Sequence, residues 1–170
     1  VERTLRAAAN RHMFVQTTTA ARTGLTGDGG FRNVSPTFVT NTITFSNWPG
    51  FTFASNVPTV PGAGLYQVGI YVNAVASGAV TDNSFRWLRI SQQRSTPSGL
   101  VTVEYADTVI FEANVGGGMD ITAVAVFNVS VGDSFLFEFA NGNAGSTMNL
   151  SSGAIYWATY LGSTDTVEVF

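Results

Sequence analysis

From Gly64 to Val75 the side chains alternate between two faces. Tyr66, Val68, Ile70, Val72 and Ala74 recur at period two, which a β-strand keeps on one side and a helix does not. The opposite face carries Leu65, Gln67, Gly69, Tyr71, Asn73 and Val75, a mixture too apolar for open water and too polar for a dry core. The pattern predicts a strand with the fold's core on one side and a second packing surface, such as another subunit, on the other. Val60-Pro61-Gly62-Ala63 is a turn that sets where it starts.

Similar alternation recurs along the chain. Thr37 to Phe45 places Val39, Ile43 and Phe45 together, Trp48-Pro49-Gly50 turns the chain, and Phe51-Thr52-Phe53 begins another strand. Phe85 to Gln92 sets Leu88 and Ile90 against Phe85, Trp87 and Arg89. Beyond the turn Ser95-Thr96-Pro97-Ser98-Gly99, strands are expected at Leu100–Tyr105 and Thr108–Phe111, separated by Ala106-Asp107. Ile121, Ala123, Ala125, Phe127, Val129 and Val131 share one face of a long strand ended by Gly132-Asp133. Phe135, Phe137 and Phe139 share a face of the next. Ala154 to Leu161, with Tyr156 and Trp157, is the last core strand, and Thr166 to Phe170 an edge strand or tail. About ten strands separated by Gly, Pro or Asn turns predict an all-β antiparallel sandwich rather than a βαβ fold.

The N-terminal stretch reads differently. Val1, Leu5, Ala8, His12 and Val15 recur at spacings of four and three, as in a coiled-coil seam, but two heptads are too short to be stable alone. Met13 to Thr19 serves equally as a first strand. Gly24, Gly27, Gly29 and Gly30 around Asp28 form a loop; a phosphate loop would need a lysine and a following helix, and neither is there. Residues 1–30 are therefore expected to form an arm or stem remnant, and residues 31–170 the sandwich domain.

Composition changes this picture in two ways. Charged residues are only 11% of the 170 residues, against about 25% in an average soluble domain. Part of the surface is therefore expected to be covered by another protein. All eight basic residues are arginine, and they are unevenly placed: residues 1–40 carry a net +3 and the remainder a net −6. A basic arm on an acidic body points to docking on an acidic partner through Arg3, Arg6, Arg11 and Arg22. Cysteine is absent, so disulfides and thiolate chemistry are excluded. No apolar run approaches a membrane span and the N-terminus lacks the apolar stretch of a signal peptide, so no membrane partner is expected.

Candidate chemistry is sparse. The one histidine, His12, lies in the arm, so a Ser-His-Asp site would require the arm to fold into the body. One histidine and no cysteine do not supply the usual zinc ligands. Glu104, Asp107, Glu112 and Asp120 offer a carboxylate pair for a hydrolase, against the simpler reading of solvated strand and loop residues. Asp82, Asn83 and Asp120 offer oxygen ligands for calcium, with no calcium repeat to support them. Catalysis, a bound metal and a cofactor are all expected to be absent. A pI near 4.9 opposes nucleic-acid binding. Trp48, Trp87 and Trp157 would suit a sugar ring or base, but tryptophan in a sandwich more often packs in a core or interface. Three Asn-x-Ser triplets, at Asn33, Asn128 and Asn149, arise readily in so Asn- and Ser-rich a chain.

Three short motifs carry a resemblance: Val60-Pro61-Gly62-Ala63-Gly64-Leu65-Tyr66 leading into its strand, Val131-Gly132-Asp133 before the Phe135-Phe137-Phe139 strand, and Ser152-Gly153-Ala154-Ile155 before the last. In order and spacing they resemble the jelly roll shared by tumour necrosis factor and the globular head of complement's first component, over about residues 31–162. The lead-in to Tyr66 has one more glycine than that family's pattern. The resemblance implies a ten-strand jelly roll that assembles as a tight homotrimer, with Tyr66 and the Phe135, Phe137 and Phe139 row packing the core or the subunit interface. Tyr71, Tyr156 and Trp157 are expected to join that set. The chain has neither a collagen-like repeat nor a disulfide, and versions of this jelly roll also occur on viruses and phages. The function expected first is thus a non-enzymatic virion structural protein, a phage capsid decoration (cement) protein or fibre head, bound to other capsid proteins at the virion surface. The alternative is an extracellular recognition module that binds carbohydrate or a receptor through end loops such as Ser77–Ser84, Arg94–Gly99 and Asn114–Asp120.

Overall fold

The computed structural model describes residues 13–18, 21–34, 41–46, 60, 62–77, 84–112, 118–142 and 146–162. Its first sheet is laid around β5 (Gly64–Ser77), the alternating strand that stands out in the sequence. On one side β5 pairs with β8 (Gly118–Val129), from Gly64 opposite Val129 to Val75 opposite Gly118. On the other it pairs in succession with β11 (Ile155–Gly162) and β10 (Thr147–Leu150). β1 (Met13–Thr18) and then β4 (Asn41–Ser46) extend the sheet beyond β11, and β2 (Arg22–Thr26) flanks β10. The second sheet has the order β3 (Phe31–Asn33), β9 (Ser134–Asn141), β6 (Ser84–Thr96), β7 (Gly99–Glu112). Every pairing is antiparallel, and no helix occurs among the described residues.

The two sheets face each other across one core. Tyr66, Val68, Ile70, Val72 and Ala74 of β5 are wholly buried, as are Leu88, Ile90, Phe135, Phe137 and Phe139 of the second sheet. Each fully buried Val, Leu, Ile or Phe among them contributes about 1.5–3 kcal/mol through removal from water. Tyr156 spans the layers: its ring meets Phe137 edge-on at 5.1 Å and its hydroxyl donates to the Val34 carbonyl, so that burial raises its pKa. Tyr66 donates to the Gly62 carbonyl at 2.9 Å; burial, with Tyr160 beside it, pushes its pKa up to about 12.

The glycine two residues before Tyr66 has a steric cause. Gly64 sits at φ 147°, and a Cβ there would strike the Gly162 carbonyl and the Tyr160 ring.

Several sequence expectations need correction. Of the two readings open at Met13–Thr19, helix or first strand, the strand is found: Met13–Thr18 is hydrogen-bonded between β11 and β4. It and β2 belong to the sheet, so within residues 1–30 only 1–12 and 19–20 lie outside the described residues. The two strands expected around Ala106-Asp107 are one strand, β7: Asp107 is held in register opposite Arg89 by an ion pair that outweighs aspartate's poor strand propensity. Val131 does not share the inward face of β8; it is 67% exposed in the turn that follows. Phe51–Phe53, Val39, Trp48 and Thr166–Phe170 lie outside the described residues.

Candidate functional site

Because β5 buries one face, its other side chains must lie on the outside of the first sheet. There the register brings Trp157 of β11 opposite Gly69, and the indole covers the glycine so closely that a Cβ would collide with it. On β8 the inward residues are Ile121, Ala123, Phe127 and Val129, leaving Val124 and Val126 outside, about half exposed. Leu161 of β11 and Val75 of β5 add to the same face. β5, β8 and β11 together carry a single charged residue, Asp120. It accepts from the Tyr71 hydroxyl at 2.8 Å and from Asn73 Nδ2 at 2.9 Å, and Asn73 in turn accepts from Ser151 Oγ at 3.0 Å. Donation from Asn73, then from Tyr71, holds the Asp120 carboxyl below the usual carboxylate range. The face is therefore apolar and aromatic at its middle, with one pinned carboxylate at the Gly118 end.

A second apolar surface begins at the side of the sandwich, where β7 runs as the edge of the second sheet beside β8. Leu100, Val101 and Val103 are exposed there, on a strand that pairs only with β6 among the described strands. An exposed apolar edge strand is a ready surface for another chain.

At the end of β6, an open groove of about 370 Å³ is lined by Arg94, Ser95, Ser130, Val131, Gly132 and Asp133. Its charges are internally matched, because Arg94 binds the buried Asp133 through two hydrogen bonds. The groove thus offers hydroxyls and backbone groups more than a free charge.

The candidate residues fall into separate places. Tyr66, Phe135, Phe137, Phe139 and Tyr156 are core; Tyr71 and Trp157 are half-buried on the outer face of the first sheet. Arg22 opens β2, partly buried, and desolvation lowers its pKa; Arg3, Arg6, Arg11, His12, Asp82 and Asn83 lie outside the described residues. Glu104 and Asp107 project from opposite faces of β7, and Asp120 belongs to the other sheet. Of the three expected binding loops, Arg94–Gly99 is a tight hairpin in which Thr96 Oγ1 donates to the Gly99 carbonyl. Sequence reasoning did not find the Gln92–Arg94–Asp133 cluster or the partners of Arg89, since both join residues far apart in the chain. The Gly-Asp turn was visible; that its aspartate is buried was not.

No protein-family model matches the sequence, and no curated protein matches it. Solved structures match in fold. The tumour necrosis factor Eiger of S. frugiperda aligns at a TM-score of 0.57 and 12% identity, covering 94% of this chain and 97% of that one. Murine APRIL aligns at 0.55 and 13%, covering 89% and 100%. The globular domain of zebrafish complement 1qA aligns at 0.54 and 13%, covering 91% and 100%. The fold is thus the jelly roll of tumour necrosis factor and complement globular heads.

Proposed function

We propose that this chain is a non-enzymatic recognition module that assembles as a homotrimer and binds a receptor or glycan outside the cell. One observation carries the assembly: on the outer face of the first sheet Val124, Val126 and Leu161 are exposed beside the half-buried Trp157, and β5, β8 and β11 carry one charged residue, a surface as poor in charge as an interface core. The apolar edge at Leu100, Val101 and Val103 is a second, unlike surface. Two unlike surfaces meeting between copies make a head-to-tail contact, which gives a ring where the rotation between copies closes. The resemblance to tumour necrosis factor and complement heads supports a closed ring of three. The likeness in fold to Eiger, APRIL and complement 1qA supports recognition over a virion shell.

Light scattering on the intact chain tests the assembly. A particle of three 18.0 kDa chains is expected, and should persist when residues 1–12 are removed, because the first described strand starts at Met13. A monomer at micromolar concentration would overturn it.

A second reading, a phage decoration protein or fibre head, is favoured by Arg3, Arg6 and Arg11 at the start of a chain whose remainder is acidic. It predicts co-sedimentation with assembled phage shells, lost when those three arginines are replaced by glutamine.

A further inference from the structure

The outer face of the second sheet is built on a different plan from that of the first. Leu88, Ile90, Phe135, Phe137 and Phe139 point inward, so Trp87, Arg89, Tyr105, Asp107 and Glu138 stand on the outside. The register sets Glu138 of β9, Arg89 of β6 and Asp107 of β7 in one row across three strands. An acceptor, a donor and an acceptor therefore follow one another along the sheet.

Arg89 is fixed in this row. Its Nε donates to Asp107 Oδ1 at 2.7 Å and its Nη2 to Oδ2 at 3.1 Å. Its guanidinium carbon lies 3.9 Å from the Phe31 ring centroid, 4.4 Å from Tyr105 and 5.6 Å from Trp87. Nη1 makes no hydrogen bond among the described residues, so its two donors are available. On the far side Glu138 receives only the Ser91 hydroxyl, at 3.5 Å, although an ionised carboxylate accepts about four hydrogen bonds. Burial raises its pKa against the pull of Arg89, the mark of a carboxylate short of donors. Beside the row Tyr105 is 57% exposed: one face of its ring meets Arg89 and the other is open.

These features select a ligand chemistry. An anion meets two carboxylates around one neutralised arginine, and a cation meets the guanidinium. Hydroxyl groups suit an alternating row, because each both donates and accepts. An open aromatic face beside them suits the C–H face of a sugar ring. We propose that this sheet face is a platform for a neutral saccharide, whose ring packs on Tyr105 while its hydroxyls donate to Glu138 and Asp107 and accept from Nη1 of Arg89. The proposal rests on the recognition reading and moves the binding surface from the end loops to the outer face of the second sheet, further along the strand β7 whose Leu100–Val103 end is assigned to assembly.

The test is an array of neutral mono- and oligosaccharides probed with the intact chain, followed by calorimetric titration of the strongest responder. Binding is expected, weakened at least tenfold by Tyr105→Ala and by Glu138→Gln, and largely kept by Tyr105→Phe. No response from the folded chain to any neutral sugar, or a response untouched by both substitutions, would overturn the platform. The two readings fail separately. A trimer that binds no sugar removes the platform and leaves assembly standing; a monomer that binds sugar through Tyr105 does the reverse.

Discussion

Arg94 and Asp133 join through two parallel hydrogen bonds, Nε to Oδ1 and Nη2 to Oδ2, both at 2.8 Å, across 39 residues of sequence. The pair ties the end of β6 to the turn between β8 and β9. Asp133 is 1% exposed, and its carboxylate also accepts from Gln92 Nε2 at 2.6 Å and the Ser130 N–H at 2.9 Å. The backbone of the turn is fastened in the same place, with the Val60 N–H donating to the Asp133 carbonyl at 2.7 Å.

Removing the charge from that cluster should be costly and should change the acid response. Burial alone would raise the Asp133 pKa, but the bonds from Arg94, Ser130 and Gln92 outweigh it and hold the carboxyl below its ordinary value. A depressed folded pKa means that stability is fully present above the unfolded value of about 3.9 and lost as pH falls through the folded value. Asp133→Asn should lower stability at pH 7 by about 2–3 kcal/mol and flatten that acid window. Urea titrations at pH 7 and below pH 4 read both effects; equal acid sensitivity in the two proteins would show that Asp133 is not the linked group.

Gly69 and Trp157 should behave as one unit. A methyl at position 69 collides with the indole, so Gly69→Ala must displace the ring from the sheet, at a cost of about 1–3 kcal/mol. Trp157→Ala exposes the glycine but leaves room for the methyl. The double variant should therefore be more stable than the sum of the two single losses predicts, by at least about 0.5 kcal/mol in a thermal double-mutant cycle. Additive losses would mean the ring does not lie over Gly69 in solution.

The local period of two made much of this fold legible. The face groupings on β5, β6 and β9 followed from alternation alone, because one slip of register would move every apolar side chain to the other side; which face of β6 turns inward did not. What alternation does not encode is which strand lies beside which. Arg89 was placed on the right face of its strand, but Asp107 resembled a break until the pairing with β6 put it opposite that arginine. Gly69 looked like an unremarkable polar-face residue until β11 brought Trp157 over it. The row on the second sheet was hidden for the same reason: Glu138, Arg89 and Asp107 are neighbours only across hydrogen-bonded strands.

Glu138 should respond to pH in the direction opposite to Asp133. Burial raises its folded pKa, with Asp107 adding to the effect and Arg89 and Ser91 opposing it. The folded state then holds a proton the unfolded state releases, and stability falls as pH rises from about 4.3 through the folded value. Glu138→Gln should raise Tm at pH 7 by about 2 °C and give no gain below pH 4. A gain of equal size at both pH values would assign it to packing and not to charge.

Val126 offers the cleanest separation of assembly from folding. It stands on the outer face of β8, 52% exposed in the single chain, so Val126→Asp should lower the stability of the isolated chain by only about 1 kcal/mol, the difference in strand propensity. In the proposed trimer the same carboxylate would be buried at each subunit contact, without a basic residue on β5, β8 or β11 or on the facing β7 to pair with it. The expected result is a folded monomer by light scattering, with the circular dichroism of the parent chain. Thr23→Asp, exposed on the edge strand β2 and on neither of the two assembly surfaces, serves as a control for added charge and should leave the trimer intact. A Val126→Asp chain that still runs as a trimer would remove the outer face of the first sheet from the interface, and leave the apolar edge at Leu100, Val101 and Val103 as the surface to alter next.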